Sequence, residues 1–169
     1  MASPAVVCLV GRSDSGKTTL IEKLIPEFIA RGFRVGTIKH GPHGSDLVRP
    51  GKDSWRHIQA GSASTILASP TQLGLVKKVD HDYALDELLP FFPDIDIVLA
   101  EGYKGDNKPK VEIFRSGLPE GPLDLADNNL IACVSDVMME VKVPVFRIED
   151  VSGLARFLID YFKLVPGSL

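Results

Sequence analysis

The sequence predicts an α/β fold in three layers, with a mostly parallel sheet and some antiparallel strands. Strand-like and helix-like segments alternate through both halves of the 169-residue chain, which is typical of parallel sheets covered by helices. Residues 97–100 and 130–134 are apolar without interruption, as strands buried on both faces require. A ligand crevice is therefore expected at the carboxyl ends of the strands.

The first half of the chain predicts a βαβ unit followed by a hairpin. The first helix carries Leu20, Leu24 and Phe28 on one face, and Gly32 is a suitable stop after it. Residues 69–72 separate two strand-like runs and predict antiparallel pairing. The predicted elements are a strand at 5–10, a helix at 16–31, a strand at 34–39, a loop at 40–52, a helix at 53–60 and strands at 64–68 and 73–77.

The second half returns to alternation of helices and strands. We find no linker or internal repeat, so residues 1–169 are expected to form a single α/β domain. The predicted elements are a short helix at 84–89, strands at 96–100, 110–115, 130–134 and 143–146, and a closing amphipathic helix at 151–162.

Composition limits the classes of function. The net charge is −3 with both signs interspersed, so no basic stripe suggests nucleic acid. No apolar run approaches the ~18 residues of a membrane helix, and the amino terminus lacks the pattern of a signal peptide. Cys8 and Cys133 lie in apolar strand-like runs and are expected to be buried, reduced thiols of a cytoplasmic protein.

The turn after the first strand is a G-x-x-x-x-G-K-T phosphate-binding loop. Its backbone N–H groups can surround phosphates, while Lys17 supplies a charge for the β- and γ-phosphates and Thr18 a hydroxyl for Mg²⁺. The alternative is an ordinary glycine-rich strand-to-helix turn. The predicted fold is therefore that of a phosphate-loop NTPase, and the predicted nucleotide-binding residues are Gly11, Arg12, Ser13, Asp14, Ser15, Gly16, Lys17, Thr18 and Thr19.

Carboxylates follow two of the apolar strands. Glu101 follows residues 97–100, where phosphate-loop enzymes place the acidic residue that orients Mg²⁺ or its water. We therefore expect Lys17 and Glu101 to be the catalytic pair, the alternative for Glu101 being a surface salt bridge. Asp96 begins the same strand at the opposite end and is expected to be a surface or helix-facing group.

Asp136 follows the strand at 130–134 and is a candidate for reading the base. A carboxylate can accept two hydrogen bonds from guanine, whereas adenine offers no such pair of donors. Asp136 could instead cap the next turn, and the usual Asn-Lys-x-Asp motif is absent. The cations that closely follow Glu101 in the sequence form either a solvated face or a patch for an anionic ligand or an acidic partner; they are Lys104, Lys108, Lys110 and Arg115.

The loop at 40–52 contains His40, His43 and Asp46, and Asp53 follows it. We interpret it as a switch-like loop that folds over the γ-phosphate and Mg²⁺, or over a second phosphate-bearing substrate, with Asp46 or Asp53 at the metal. Two alternatives remain. The histidines could hold zinc, although no cysteine is near, and Asp53 could simply cap the following helix.

Taken together, the motifs resemble the MobB family of molybdopterin-guanine dinucleotide biosynthesis adapter proteins. The resemblance rests on the phosphate loop, on K-H-x-x-H at 39–43, on P-G-K-D-S-x-R-H at 50–57, on E-G-Y-K at 101–104, on P-K-V-E at 109–112 and on V-S-D at 134–136. It implies a GTP-binding protein with weak GTPase activity and Mg²⁺ as cofactor. It also implies a homodimer formed through strands outside the nucleotide core, for which the hairpin near 62–80 is the candidate, and a supporting role to the molybdenum cofactor guanylyltransferase. Molybdopterin is a candidate second ligand.

Rapid hydrolysis by the isolated chain is not expected. Glu101-Gly102-Tyr103 stands where an efficient GTPase carries an Asp-x-x-Gly-Gln block, so a group that orients the attacking water is missing from the sequence there. Two rival functions remain open. One is a small-molecule kinase, and the other is a metal-delivery GTPase of the nickel type that would use His40 and His43.

Overall fold

The computed structural model describes residues 3–41, 49–123 and 129–167. Within these residues, six parallel strands form the main sheet in the order β2-β5-β1-β6-β7-β8, and β3 and β4 form a separate antiparallel pair. The strands are β1 (Ala5–Val10), β2 (Val35–Lys39), β3 (Ser64–Ala68), β4 (Leu73–Lys77), β5 (Ile97–Glu101), β6 (Lys110–Phe114), β7 (Leu130–Ser135) and β8 (Val145–Arg147). The helices are α1 (Lys17–Ile29), α2 (Asp53–Gln59), α3 (Leu85–Leu88), a 3₁₀ turn (Leu89–Phe91) and α4 (Val151–Phe162).

The order of the strands places β1 between β5 and β6. The chain leaves β1 through α1 to β2 at one edge of the sheet, and its later strands β6, β7 and β8 lie on the other side of β1. Ligands of open α/β sheets bind at such a reversal, at the carboxyl ends of the strands. The predicted mostly parallel sheet, with an added antiparallel pair, is confirmed.

Alternate residues of each strand supply the two sides of the core. Val7 and Leu9 of β1 pack on the face covered by α1 and α4, together with the fully buried Leu24 and Phe28. Val6, Cys8 and Val10 pack on the opposite face, where α3 contributes Leu85. Each such large side chain contributes ~1.5–3 kcal/mol to the stability of the fold when it is fully buried. Apolar packing on both faces therefore holds the main sheet between the helices.

Backbone contacts divide the chain into two compact units. The first contains Met1–His40 and Ala84–Leu169, and the second contains Gly41–Tyr83. The first unit holds the main sheet with α1, α3 and α4, and the second holds α2 and the β3–β4 hairpin. The hairpin predicted near 62–80 is thus present, while its part in dimerisation stays a prediction.

No helix among the described residues is long and apolar enough to cross a membrane.

Two charged residues for which an exposed position was considered are buried. Asp96, expected to be a surface or helix-facing group, is not on the surface: only 8% of it is exposed, and its carboxylate accepts hydrogen bonds from the Arg34 backbone N–H (2.7 Å) and guanidinium. For Lys110 the solvated-face alternative is excluded, since the residue is buried at the start of β6, and Glu112 in the same strand is buried as well. The strand β6 has a neighbour on each side, so even its polar residues lie under other parts of the chain.

Candidate functional site

The carboxyl ends of five neighbouring strands meet at one edge of the main sheet. The phosphate loop follows β1, Lys39 ends β2, Glu101 ends β5, Arg115 follows β6, and Asp136 follows β7. Parallel pairing with matched register brings these ends together: Leu9 of β1 and Lys39 of β2 both pair with Glu101. The residues predicted from separate motifs therefore lie along one continuous edge.

The phosphate loop adopts the tight turn that its glycines permit. Gly11 has a φ of +155°, and a Cβ there would lie 2.4 Å from the carbonyl oxygen of Ile113. Gly16 has a φ of +93° and begins α1 in the left-handed region. Asp14, with a φ of +60°, is a further left-handed residue of this turn. Positive φ values at three of these positions let the chain curl around a phosphate group at the start of α1.

Lys17 closes the loop from the inside. Its ammonium group donates to the carbonyl oxygens of Gly11 (3.1 Å) and Arg12 (2.7 Å). Burial lowers the pKa of Lys17, with the charge of Lys39 acting in the same direction and Glu101 and Asp14 opposing it. An ammonium held in this position lies where it can bind the β- and γ-phosphates.

Thr18 and Glu101 lie next to each other, as a magnesium site of this kind requires. The Thr18 hydroxyl donates to Glu101 Oε2 at 2.9 Å, and Glu101 Oε1 lies 3.4 Å from the Lys39 ammonium group. A hydroxyl and a carboxylate are oxygen ligands of the type that Mg²⁺ takes, directly or through water. The two residues therefore fit the ion that the motif implies.

These groups share one depression of about 450 Å³. Its wall is mainly polar, as a polyphosphate site requires. It is lined by Ser13, Asp14, Gly16, Lys17, Thr18, Thr19, Lys39 and Glu101. Seven of these were predicted from sequence as site residues, and the eighth is Lys39.

Asp136 has partners already within the chain. Its two carboxylate oxygens accept from the Ser116 backbone N–H (2.9 Å) and the Ser116 hydroxyl (3.2 Å). The backbone hydrogen bond, above all, holds the pKa of Asp136 below its usual range. Each carboxylate oxygen has a further lone pair, so these bonds leave Asp136 able to accept from a base. Reading guanine and fixing the segment after β6 are thus compatible roles.

Two arginines tie the phosphate loop to the segment that follows β6. Arg115 Nε donates to the carbonyl oxygen of Ser15 at 3.1 Å, and its guanidinium lies beside Gly16. Arg12 pairs with Glu120 at 2.8 Å. Arg12 was predicted as a nucleotide contact, and that role stays a prediction. Arg115 was considered only as part of a basic patch.

Below this edge, Glu112 is a buried carboxylate in β6. Burial raises the pKa of Glu112. Two effects oppose that rise: the hydrogen bond that Glu112 accepts from the Leu123 backbone N–H, and the charge of Arg12. The neighbouring strand carries Cys133, whose thiol pKa is raised to about 11 by burial and by Glu112. A thiol with so high a pKa is inert near neutral pH, which agrees with the expected structural role of the cysteines.

The loop at 40–52 is only partly described. His43 and Asp46 lie outside the described residues, so their predicted roles stay predictions. His40 is in the first unit, with its ring 4.7 Å from that of Tyr103. Asp53 belongs to the second unit and is the first residue of α2, whose N-cap is Lys52. Its carboxylate lies 3.7 Å from the Arg56 guanidinium. Its proposed contact with the metal is untested.

No group of three or more His, Cys, Asp or Glu side chains that could hold a metal ion occurs among residues 3–41, 49–123 and 129–167.

The sequence placed Lys39 at a strand end and in a family motif without giving it a role at the nucleotide, and it indicated nothing of the contacts of Ser116 and Glu120. The sequence did contain an indication for Lys39, since this residue ends a strand that was predicted to be parallel and ligands bind at such strand ends. Ser116 and Glu120 had none, because their contacts depend on the path of a loop.

Several known sequences similar to this chain belong to one family. Residues 6–136 match the family described as molybdopterin guanine dinucleotide synthesis protein B. The chain is 40% identical over 160 residues to the molybdopterin-guanine dinucleotide biosynthesis adapter protein of Escherichia coli K12, covering 92% of this chain and 91% of that one. It is 37% identical over 162 residues to the adapter protein of Haemophilus influenzae, with 95% and 90% covered.

A solved structure agrees with the fold. The crystal structure of Bacillus subtilis MobB superposes with a TM-score of 0.75 at 29% identity, covering 95% of this chain and 98% of that one. Nearly full coverage of both chains means that the similarity includes both compact units.

Proposed function

The chain belongs to the molybdopterin guanine dinucleotide synthesis protein B family, an adapter family of that biosynthesis, and we propose that it binds GTP with Mg²⁺ to support a guanylyltransferase. The observation that carries the proposal is the depression of about 450 Å³ in which Lys17, Thr18 and Glu101 converge. A lysine, a hydroxyl and a carboxylate around a curled backbone suit a magnesium-bound polyphosphate.

Lys17 and the backbone of the phosphate loop hold the β- and γ-phosphates in this proposal. Thr18 and Glu101 would hold Mg²⁺, which when bound neutralises part of the phosphate charge. At the other end, Asp136 accepts hydrogen bonds from the guanine base while Ser116 keeps its carboxylate in place. Family membership supports the assignment of guanine, since the family name itself contains a guanine dinucleotide.

Calorimetric titration with GTP, GDP and ATP in the presence of Mg²⁺ tests nucleotide binding. We expect Lys17→Ala to weaken GTP binding roughly 30-fold or more, because truncation of a buried charged contact costs about 2 kcal/mol or more. Lys142→Ala is the matched control, since it removes a charge from an exposed loop. Unchanged GTP binding by Lys17→Ala would refute the site.

The choice of base has its own test. We expect Asp136→Ala to lower the ratio of GTP affinity to ATP affinity, whereas Ser116→Ala, which keeps the backbone donor, should largely preserve it. Equal binding of GTP and ATP by the unaltered chain would rule out guanine selection by Asp136.

Hydrolysis by the isolated chain is expected to be slow. Rates on the order of 10⁻⁴–10⁻² s⁻¹ are typical of phosphate-loop GTPases without an activating partner. Single-turnover release of phosphate from GTP measures this rate, with Lys17→Ala as the background. A single-turnover rate above about 1 s⁻¹ would show that a water-orienting group exists in the chain and would contradict the expectation of slow hydrolysis.

Support of the guanylyltransferase is tested by the rate at which purified enzyme forms molybdopterin guanine dinucleotide. Addition of the chain should raise that rate or lower the GTP concentration needed, and Lys17→Ala should not. If the chain had no effect on that rate and did not bind the enzyme in sedimentation, the guanylyltransferase would be excluded as its partner. The proposal of GTP binding would not be affected.

A further inference from the structure

Lys39 ends β2 and has no place in the phosphate-loop motif or in the metal pair. Its ammonium group lies 3.4 Å from Glu101 Oε1, while the other oxygen of that carboxylate accepts from Thr18. The two strands pair in register at this point, with Lys39 opposite Glu101. The position of the lysine is therefore set by the main sheet and not by a loop.

Lys39 and Lys17 reach the same depression from opposite sides. Lys17 begins α1, which follows β1, and Lys39 ends β2, while β5 and its Glu101 lie between these two strands. Both lysines line the depression of about 450 Å³. Two cations on opposite sides of a polar depression give it the charge pattern of a polyphosphate site.

The contact between Lys39 and Glu101 is weak enough to exchange. The lysine side chain is 68% exposed, and exposed ion pairs contribute only about 0.2–1 kcal/mol. Phosphate oxygens form the same charge-assisted hydrogen bonds with an ammonium group as carboxylates do, so a phosphate can replace Glu101 as the partner of Lys39. If Glu101 instead held a metal-bound water, the charge of Lys39 would be available to a ligand.

We propose that Lys39 binds the terminal phosphate of the nucleotide and thereby lets the site distinguish a nucleoside triphosphate from a diphosphate. The proposal rests on the nucleotide binding proposed above. Lys17 serves both ligands, since it reaches the β-phosphate as well. Lys39, at the far side of Glu101, has a phosphate to bind only when the third one is present. Loss of Lys39 should therefore weaken the triphosphate complex and spare the diphosphate complex.

The test compares affinities for GDP and for a non-hydrolysable GTP analogue, both with Mg²⁺. We expect Lys39→Gln to reduce the ratio of analogue affinity to GDP affinity by about tenfold, the loss of one charge-assisted hydrogen bond. Lys39→Arg should keep most of the ratio, because it keeps the cation. Lys142→Gln is the matched control for removal of an exposed positive charge.

Three results would overturn the proposal. An unchanged ratio in Lys39→Gln would show that the lysine does not contact the third phosphate. Equal weakening of GDP and of the analogue, accompanied by a higher Mg²⁺ requirement for both, would show that Lys39 only positions Glu101. If the unaltered chain binds no guanine nucleotide, the proposed function itself fails, and the role of Lys39 fails with it.

Discussion

At the scale of single residues, Glu101 connects three parts of the site. One of its oxygens accepts from Thr18 at the start of α1, and the other lies beside Lys39 at the end of β2. Asp96 has a comparable role at the opposite end of the same strand, where it accepts from Arg34. A carboxylate at each end of β5 thus links the strand to other segments. Glu101 contacts Thr18 and Lys39 at the functional edge, and Asp96 contacts Arg34 at the opposite edge.

The Asp96 contact predicts a pH-dependent contribution to stability. Burial alone would raise the pKa of Asp96, but the hydrogen bonds and charge of Arg34 outweigh burial and hold the pKa below its usual range. The stabilisation is therefore complete above the ordinary aspartate pKa of about 3.9 and is lost as the pH falls through the lower value of the folded state.

We expect Asp96→Asn to lower the free energy of unfolding at pH 7 by about 1–2 kcal/mol, a figure reduced for the partial exposure of Arg34. Urea unfolding at pH 7 and near pH 3 measures the effect, which should be smaller at the lower pH. Asp94→Asn, at an exposed position two residues away, is the matched control. A loss as large at pH 3 as at pH 7 would show that charge is not the cause.

At the scale of elements, β6 serves as the support of the phosphate loop. Its Ile113 carbonyl lies where a side chain on Gly11 would be, and Arg115 beyond its end holds the Ser15 carbonyl. Glu112 from the same strand accepts from the Leu123 backbone N–H. The side chains of Arg115 and Glu112 therefore hold two backbone segments in place, at Ser15 in the phosphate loop and at Leu123.

The close approach of β6 predicts a strong effect of a small substitution. Gly11→Ala would place a Cβ 2.4 Å from a backbone oxygen, which only a shift of the loop or of β6 can relieve. We expect the free energy of unfolding to fall by about 1–3 kcal/mol and GTP binding to be lost. Calorimetry and urea unfolding measure the two effects.

Gly105→Ala is the control for this substitution, since a Cβ at that position meets nothing within 4 Å. It should leave both stability and binding close to those of the unaltered chain. If Gly11→Ala bound GTP as well as Gly105→Ala does, the tight contact between the loop and β6 would not matter for the site.

At the scale of the whole molecule, the second unit carries an apolar surface unusual for a free monomer. Ile66, Leu73 and Leu75 share one face of the hairpin and are exposed to 63%, 75% and 46%. Within the described residues β3 and β4 pair only with each other, and an open groove of about 1090 Å³ lies beside them within this unit. Exposed apolar faces and open strand edges favour association.

We therefore expect the chain to form a homodimer through the hairpin. Ile66→Lys combined with Leu75→Lys should convert it to a monomer, because two charges would be desolvated in the interface. Light scattering during size-exclusion chromatography measures the mass. Met138→Lys, at a residue 92% exposed in the first unit, should remain dimeric. A monomeric unaltered chain at micromolar concentration would contradict this prediction.

The sequence by itself determined the parallel sheet, the phosphate loop and the strand-end carboxylate Glu101. These follow from local patterns, since apolar runs, glycine spacing and a charged residue at a strand end depend on neighbours in sequence. It also identified the residues of the family motifs. The bounds of nearly every element agree to within one or two residues.

Only the tertiary structure decided which charges are buried and which strand ends meet. Lys110, Glu112 and Asp96 have the sequence pattern of surface residues, yet the strands beside them and the segments above them exclude solvent. The pairing of Lys39 with Glu101 depends on β2 lying next to β5, although 57 residues separate β2 from β5. Contacts between distant segments are set by strand order and packing, and no local pattern encodes them.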